Sequence, residues 1–229
     1  MIFSSHLVGD CAGLTVQGES IPLEHEYKYL GLTLCDGRNY LNKQEQIWMK
    51  DSKKALHQMQ AQLLWSSNKF ELTKTFWKAV AVPKLTYANA VTTVTAKTRG
   101  KLEVQQRHAA RWALGIQGWK VATEFLEGEL NWSTFEAREA KSKLKFFARI
   151  SSMPATRWPR AILDMIRLQK HETKACARME ELNSKFGCDT LQIERDERGT
   201  VLLGSYSRQL DERIKIAQDT IWADGMAGK

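Results

Sequence analysis

The side chains of this sequence that are best placed to do chemistry are lysines and arginines that recur on predicted helices. Ammonium and guanidinium groups neutralise phosphates, and such contacts give nucleic-acid affinity that does not depend on base sequence. The same pattern also fits a lysine-rich helical face that is simply solvated. The candidate phosphate-binding residues are Lys50, Lys53, Lys54, Lys69, Lys74, Lys78, Arg107 and Arg111.

The positive charge is concentrated in one part of the chain. The 229 residues carry a formal net charge of +8, and residues 41–120 alone carry +10. The flanking stretches are much less basic, with −3 in residues 1–40, +3 in residues 121–174 and −2 in residues 175–229. Clustering of this kind is typical of a surface that binds a polyanion.

Other kinds of site lack their sequence signatures. The four cysteines Cys11, Cys35, Cys176 and Cys188 form no Cys-x-x-Cys pair and have no histidine at ligand spacing, so we predict free thiols, no metal and no cofactor. No glycine-rich phosphate loop, His-Glu-x-x-His or Gly-x-Ser-x-Gly occurs. The adjacent Glu180 and Glu181 diverge on a predicted helix and should face solvent.

The compartment follows from what the sequence does not contain. No run of about 18 apolar residues predicts a membrane span, and the first residues do not resemble a secretory signal. Scattered cysteines without such a signal indicate a reducing environment. We therefore expect an intracellular protein, cytoplasmic or nuclear, with no membrane partner.

The sequence pattern predicts that these residues are positioned by a mainly α fold with a small N-terminal antiparallel β element. Residues 14–16 and 21–23 should pair as a hairpin around a four-residue loop. Residues 27–34 read as one buried strand with Gly31 inside it. Two later strands at 190–204 would form a short hairpin.

Helical periodicity accounts for most of the remaining chain. The predicted helices cover residues 42–64, 69 to about Pro83, 97–114, 134–152, 156–185 with a possible break at 171–173, and 206–222. Asn68 and Gly115 provide capping signals. On the basic helices we expect Arg107 and Arg111 to be exposed, and on 134–152 we expect Lys143 to lie on the outer face.

Several segments, in the same order, resemble non-LTR (LINE-type) retrotransposon reverse transcriptases. The first is Tyr27-Lys28-Tyr29-Leu30-Gly31-Leu32, which is similar to the segment that closes the palm domain of that family. Similar segments follow in residues 77–87, 102–115 and 129–150, so the resemblance covers about residues 1–153. The residues that carry these similarities include Trp77, Lys78, Ala79, Pro83, Leu85, Tyr87, Leu102, Glu103, Gln106, Arg111, Leu114, Gly115, Glu129, Leu130, Trp132, Arg138, Lys143, Leu144, Phe146, Arg149 and Ile150.

The resemblance implies a domain order and a role. Residues 1–40 would be the palm edge, 41–153 a basic helical thumb-like bundle and connector, and 154–229 a further helical region. The parent family is an RNA-directed DNA polymerase that holds two magnesium ions on paired aspartates. This chain has no Asp-Asp pair, so we expect no catalysis from it as it stands. It would grip a DNA or RNA–DNA duplex through backbone phosphates, and could do so beside a palm-containing polypeptide.

Two alternatives remain open at this stage. The chain could be a helical protein-interaction module, in which aromatic residues and the acidic last 55 residues face a partner, or a functionless remnant of a transposon. Burial of Trp48, Trp77, Trp112 and Trp158 separates these hypotheses, because several tryptophans in one exposed patch would favour an interface.

Overall fold

A computed structural model describes residues 15–20, 24–36, 39–117, 121–169, 173–191, 193–194 and 202–227. It confirms a mainly α fold with a small antiparallel β element near the N-terminus. The chain divides into two compact units, residues 1–54 and 55–229, with the boundary inside the first helix. The functional limits predicted at residues 40 and 153 stay predictions.

The first unit begins with two short antiparallel ribbons. Strand β1 (Thr15–Val16) pairs with β2 (Glu19–Ser20). The predicted four-residue loop is wrong, because the turn consists of Gln17 and Gly18 alone, with φ of 54° and 86°. The rest of that predicted hairpin, residues 14 and 21–23, lies outside the described part of the chain.

The predicted buried strand at residues 27–34 is also wrong, because it is a hairpin. Strand β3 (Glu26–Tyr29) pairs with β4 (Leu32–Cys35), with Tyr29 opposite Leu32. Leu30 and Gly31 take φ values of 45° and 84°, and two consecutive positive φ values make the tight turn that suits a two-residue hairpin. Tyr27, Tyr29 and Leu30 are exposed, whereas Leu32 is buried.

Nine α-helices follow among the described residues. Their bounds are α1 (Asn42–Leu63), α2 (Lys69–Phe76), α3 (Val82–Leu85), α4 (Ala96–Ala113), α5 (Thr123–Leu130), α6 (Phe135–Ser152), α7 (Trp158–Leu168), α8 (Lys174–Lys185) and α9 (Leu203–Ala227). Within the first unit, the Thr33 N–H donates to Gln44 Oε1 at 2.9 Å and joins β4 to the start of α1.

Local capping chemistry explains several helix ends. Asn68 Oδ1 accepts from the Glu71 N–H at 3.3 Å, and Thr134 Oγ1 accepts from the Ala137 N–H at 3.1 Å. Gly115 has a φ of 65° beyond α4, as its sequence position predicts. The predicted helix over 156–185 is two helices, which agrees with the break predicted near 171–173, and Thr173 caps the second of them. The predicted hairpin at 190–204 lies mostly outside the described residues.

Pro83 lies in the first turn of a new helix, as expected of a proline at which a predicted helix ends. A π-helical turn (Trp77–Ala81) precedes it, and the Val82 N–H donates to the Trp77 carbonyl five residues earlier. Pro83 then occupies the first turn of α3. A proline is tolerated there because N–H groups in a first turn have no α-helical acceptor.

Helix α6 is the centre of the second unit. It packs against α4, α7, α8 and α9. The core that it shares with α8 and α9 contains Ala137, Ala140, Leu144, Ala148, Leu182, Phe186, Cys188, Tyr206, Leu210 and Ile214.

A buried carboxylate on α6 joins three structural elements. Glu139 is 3% exposed, and its Oε2 accepts from Arg99 of α4 and Arg178 of α8, each at 3.0 Å. Its Oε1 lies 3.8 Å from Lys143 Nζ. Helices that are far apart in sequence are therefore held at one charged point.

The prediction that Lys143 lies on the outer face of α6 is wrong. Lys143 is fully buried rather than outward-facing, and its Nζ donates to the carbonyls of Asn89 and Thr92. Burial lowers the pKa of Lys143 to about 8, against the opposing effect of Glu139. The ammonium group is therefore used to hold the connection between α3 and α4.

Substitution of Glu139 by alanine tests this network. We expect Glu139→Ala to lower the free energy of unfolding by about 3–5 kcal/mol, because it removes the buried carboxylate that Arg99, Lys143 and Arg178 share, and with it the ion pair of the fully buried Lys143. Glu180→Ala on the exposed face of α8 is the control, with an expected change within about 0.5 kcal/mol. Urea unfolding followed by far-UV circular dichroism measures both, and equal losses would contradict the assignment.

Candidate nucleic-acid interface

Three of the candidate lysines form a row on α1 in the first unit. Lys50, Lys53 and Lys54 are all exposed. Their spacing of three and four residues puts them on one side of the helix, while Trp48 and Ser52 are buried. The predicted arrangement of this row is therefore present within that unit.

The α2 lysines of the second unit are placed against aromatic rings. Lys69 is exposed, and its Nζ lies 5.8 Å from the centroid of the Trp112 ring on α4. Lys74 is half-buried, with its Nζ 5.5 Å from the centroid of the Phe70 ring. A cation above a ring face is held by the quadrupole of the ring and keeps its charge. Lys69 therefore brings its ammonium group to the surface of α4.

Arg107 and Arg111 on α4 are half-buried, so the expectation that they are exposed is wrong. His108 lies between them, and its pKa is lowered first by burial and then by the positive charges of Arg111 and Arg107. The effects of both arginines on this pKa show that their positive charges lie close together on this part of α4. The half-burial fixes the guanidinium stems, since long basic side chains bury their aliphatic part.

Lys78 is in a different environment from Lys69 and Lys74. It lines a cavity of about 860 Å³ in the second unit, together with Arg138, Lys141 and Asp211. Lys69, Lys74, Arg107 and Arg111 do not line this cavity. The predicted set therefore separates into the α1 row, the α2–α4 group and Lys78.

A buried amide determines how α2 and α4 are positioned. Gln106 Oε1 accepts from Trp77 Nε1 at 3.3 Å and from an Arg138 guanidinium N–H at 2.8 Å, and its Nε2 donates to the Ser133 carbonyl at 3.1 Å. Trp77 also stacks on Trp132, with ring centroids 5.8 Å apart. Gln106 is almost completely buried, and the periodicity of apolar residues does not identify it because a glutamine carries no apolar signal.

The tryptophans do not gather in one place. Trp48 and Trp77 are buried and Trp112 is half-buried, whereas Trp158 is 80% exposed. The shared exposed patch that would favour an interaction module is therefore not formed by these four residues.

No group of histidine, cysteine, aspartate or glutamate suited to a metal ion is found among the residues that the structure describes. Cys35, Cys176 and Cys188 have free thiols, and Cys11 lies outside the described part. Within that part, the helices also lack the length and apolar composition that would let one cross a membrane.

Glu127 of α5 gives the cavity a carboxyl group that titrates near neutrality. Burial, and then the negative charge of Glu103, raise the pKa of Glu127 to about 7. In the unfolded chain the group ionises near its ordinary value, so the folded state binds the proton more tightly between these pH values. The free energy of unfolding should therefore fall as pH rises from about 4.5 to about 7.

Glu127→Gln removes this dependence. We expect the variant to melt at a higher temperature than the unmodified chain at pH 8, and the difference to shrink towards zero at pH 5. The exposed Glu129→Gln on the same helix is the control and should show no such trend. Thermal melts followed by circular dichroism measure both variants. A difference in melting temperature that is equal at both pH values would contradict the burial of Glu127.

Comparison with curated proteins finds a distant relative. It is an RNA-directed DNA polymerase from the mobile element jockey of Drosophila funebris, 27% identical over 153 residues. The match covers 66% of this chain but only 16% of the polymerase. No protein-family model and no solved structure matches the chain. The similarity supports a distant relationship to the reverse transcriptases of non-LTR retrotransposons.

Proposed function

We propose that this chain binds double-stranded nucleic acid through backbone phosphates, as a non-catalytic segment related to a reverse-transcriptase thumb. The observation that carries this proposal is the α2–α4 group of the second unit. There, Lys69 lies over Trp112 next to Arg107, His108 and Arg111. Positive groups held on two packed helices provide phosphate contacts with no base reading.

The packing of this group favours binding over simple solvation. The π-helical turn that follows α2 is tied to α4 by the hydrogen bond from Trp77 to Gln106, and Lys69 is held at the Trp112 ring. Side chains that are already ordered lose less conformational entropy when they meet a ligand. A solvated lysine face would not need such supports.

The α1 row of Lys50, Lys53 and Lys54 is proposed as a further phosphate contact in the first unit. Its i, i+3, i+4 spacing presents three ammonium groups on one exposed side. Adjacent like charges on a helix repel by a few tenths of a kcal/mol, and an anionic partner would relieve that repulsion.

We propose no nucleotide transfer by this chain itself. The relative is a polymerase, and polymerases of that family need paired aspartates for magnesium, whereas no Asp-Asp pair occurs here. A separate palm-containing polypeptide would supply them. The proposed ligand is a DNA or RNA–DNA duplex, and we therefore propose a cytoplasmic or nuclear location.

The variant Lys69→Glu/Lys74→Glu tests the proposed interface. We expect it to weaken binding to a DNA duplex and an RNA–DNA hybrid alike, since both ligands present backbone phosphates. The log–log salt slope should fall by about 1 for each phosphate that the variant no longer neutralises. Fluorescence anisotropy across a salt titration measures affinity and slope, with single strands as a third ligand.

Arg208→Glu/Arg213→Glu is the matched control, because it makes the same charge change at two exposed positions of α9. The proposal requires a larger loss of affinity for the α2 variant than for this control. Equal losses of affinity would show that the effect depends only on the net charge of the chain. Failure of the folded, unmodified chain to bind at low salt would refute the proposal outright.

One observation favours a second candidate function, a protein-interaction module. Helix α7 buries Leu163 but leaves Trp158, Ile162, Met165 and Leu168 exposed. The exposed Arg157 and Arg167 flank this apolar face, so a fitting partner would have an apolar surface rimmed by carboxylates.

The free energy of unfolding of Trp158→Ala provides a first check on α7. Because the indole is 80% exposed, we expect a change within about 0.5 kcal/mol, with Trp77→Ala as the destabilising comparison. A large decrease in urea unfolding would show that Trp158 serves the fold, and would remove the reason for assigning it to a partner.

A further inference from the structure

The cavity that contains Lys78 has walls of opposite charge. The wall formed by the π-helical turn and α6 contributes Lys78, Arg138 and Lys141. The wall formed by α9 contributes Asp211, Glu212 and Asp219, together with one cation, Lys215. Two lysines suited to phosphate, Lys78 and Lys141, therefore line the same cavity as carboxylates of α9 and as Glu127 of α5.

Direct ion pairs cross between these walls. Asp211 Oδ1 lies 3.4 Å from Lys141 Nζ, and its Oδ2 lies 2.9 Å from the neighbouring Lys145 Nζ. One carboxylate thus engages two lysines that are one helical turn apart on α6. Its two oxygens take the positions at which oxygens of a bound phosphate would neutralise the same ammonium groups.

Helix α9 is held firmly next to Asp211, the carboxylate that pairs with these cations. Leu210 and Ile214 are fully buried in the core shared with α6. Further along, a Cβ at Gly128 would lie 2.1 Å from Trp222 Nε1, and one at Gly225 would lie 2.4 Å from Glu124 Cγ. These close approaches between α5 and α9 need glycine on both helices.

We propose that α9 is an internal competitor for nucleic acid, whose Asp211, Glu212 and Asp219 mask a second cationic surface formed by Lys78, Lys141 and Lys145. The inference rests on the proposed function, since it assumes a polyanionic ligand. It adds that the chain regulates which of its cations are available.

The masking is partial because the ion pairs that produce it are partly exposed to water. The side chains of Lys141, Lys145 and Asp211 are 36%, 36% and 41% exposed, and water weakens ion pairs at such positions. A duplex presents many phosphates at once and gains by counterion release. Helix α9 therefore raises the threshold for binding at this surface, so that salt or ligand density decides whether the surface is used.

Neutralising the mask is the test. Asp211→Asn/Glu212→Gln/Asp219→Asn removes the three carboxylates with little change in shape. The control Glu129→Gln/Glu180→Gln/Asp224→Asn makes the same change in net charge at exposed positions that do not line the cavity. Thermal melts establish that both variants are folded. Fluorescence anisotropy with a DNA duplex is then titrated with salt.

We expect the unmasked variant to bind at least about fivefold tighter than the control, with a log–log salt slope steeper by about 2 to 3, as two or three more phosphates are neutralised. Adding Lys78→Gln/Lys141→Gln/Lys145→Gln should cancel the gain. Equal affinities of the unmasked and control variants would overturn the masking, and so would a gain that survives removal of the lysines.

The outcomes separate this inference from the proposed function. If the unmodified chain binds through Lys69 and Lys74 but the unmasked variant gains nothing, the masking fails and the proposed interface stands. If the unmodified chain does not bind and only the unmasked variant does, the masking stands and the α2–α4 interface fails. If neither binds, both fail.

Discussion

The buried charge of Glu139 is the constraint on which the second unit depends. An ionised carboxylate inside a protein must be paired, because its desolvation is far more costly than any single contact that replaces water. Here the pairing comes from Arg99 of α4, Lys143 of α6 itself and Arg178 of α8. Burial alone would lower the pKa of Arg178, but hydrogen bonds to Glu139, Glu181 and Glu136 raise it above its ordinary value. The network therefore fixes α4 and α8 against α6, and with α4 it fixes the arginines of the candidate interface.

The polar network around Gln106 performs the same task on the other side of α4. Gln106 accepts hydrogen bonds from Trp77 of the π-helical turn and from Arg138 of α6. The helical segment that contains Lys69 and Lys78 is thereby positioned against α4 and α6. In sequence, Lys74 and Lys78 form a like-charged i,i+4 pair that should repel. In the structure, Lys74 lies over an aromatic ring and Lys78 faces carboxylates. The two ammonium groups therefore lie in different surroundings, one at an aromatic ring and the other in the cavity.

Local signals in the sequence are sufficient for most helices and insufficient for the charges. The capping signals at Asn68 and Gly115 follow from short-range chemistry, and the structure confirms them. The turn at Leu30-Gly31 was missed because its sequence lacks the Asn-Gly or Asp-Gly signal of a two-residue hairpin. Burial of Lys143 and half-burial of Arg107 were missed because they are set by residues tens of positions away. Long-range pairing of this kind leaves no periodic trace in the sequence.

The chain holds its basic residues in two chemically different ways, and the difference decides which of them can meet a ligand. On α6 and α8, Lys141 and Lys145 share the carboxylate of Asp211 and Lys185 pairs with Glu136, so these ammonium charges are partly neutralised where they lie. On α2, the rings of Trp112 and Phe70 hold Lys69 and Lys74. A ring positions a cation through its quadrupole without cancelling the net charge, so these lysines keep a field that extends into solvent. Net charge along the sequence cannot separate the two cases, since a lysine counts the same in both. The aromatic contacts therefore make α2 and α4, rather than the more lysine-rich α6, the surface at which phosphate binding is expected first.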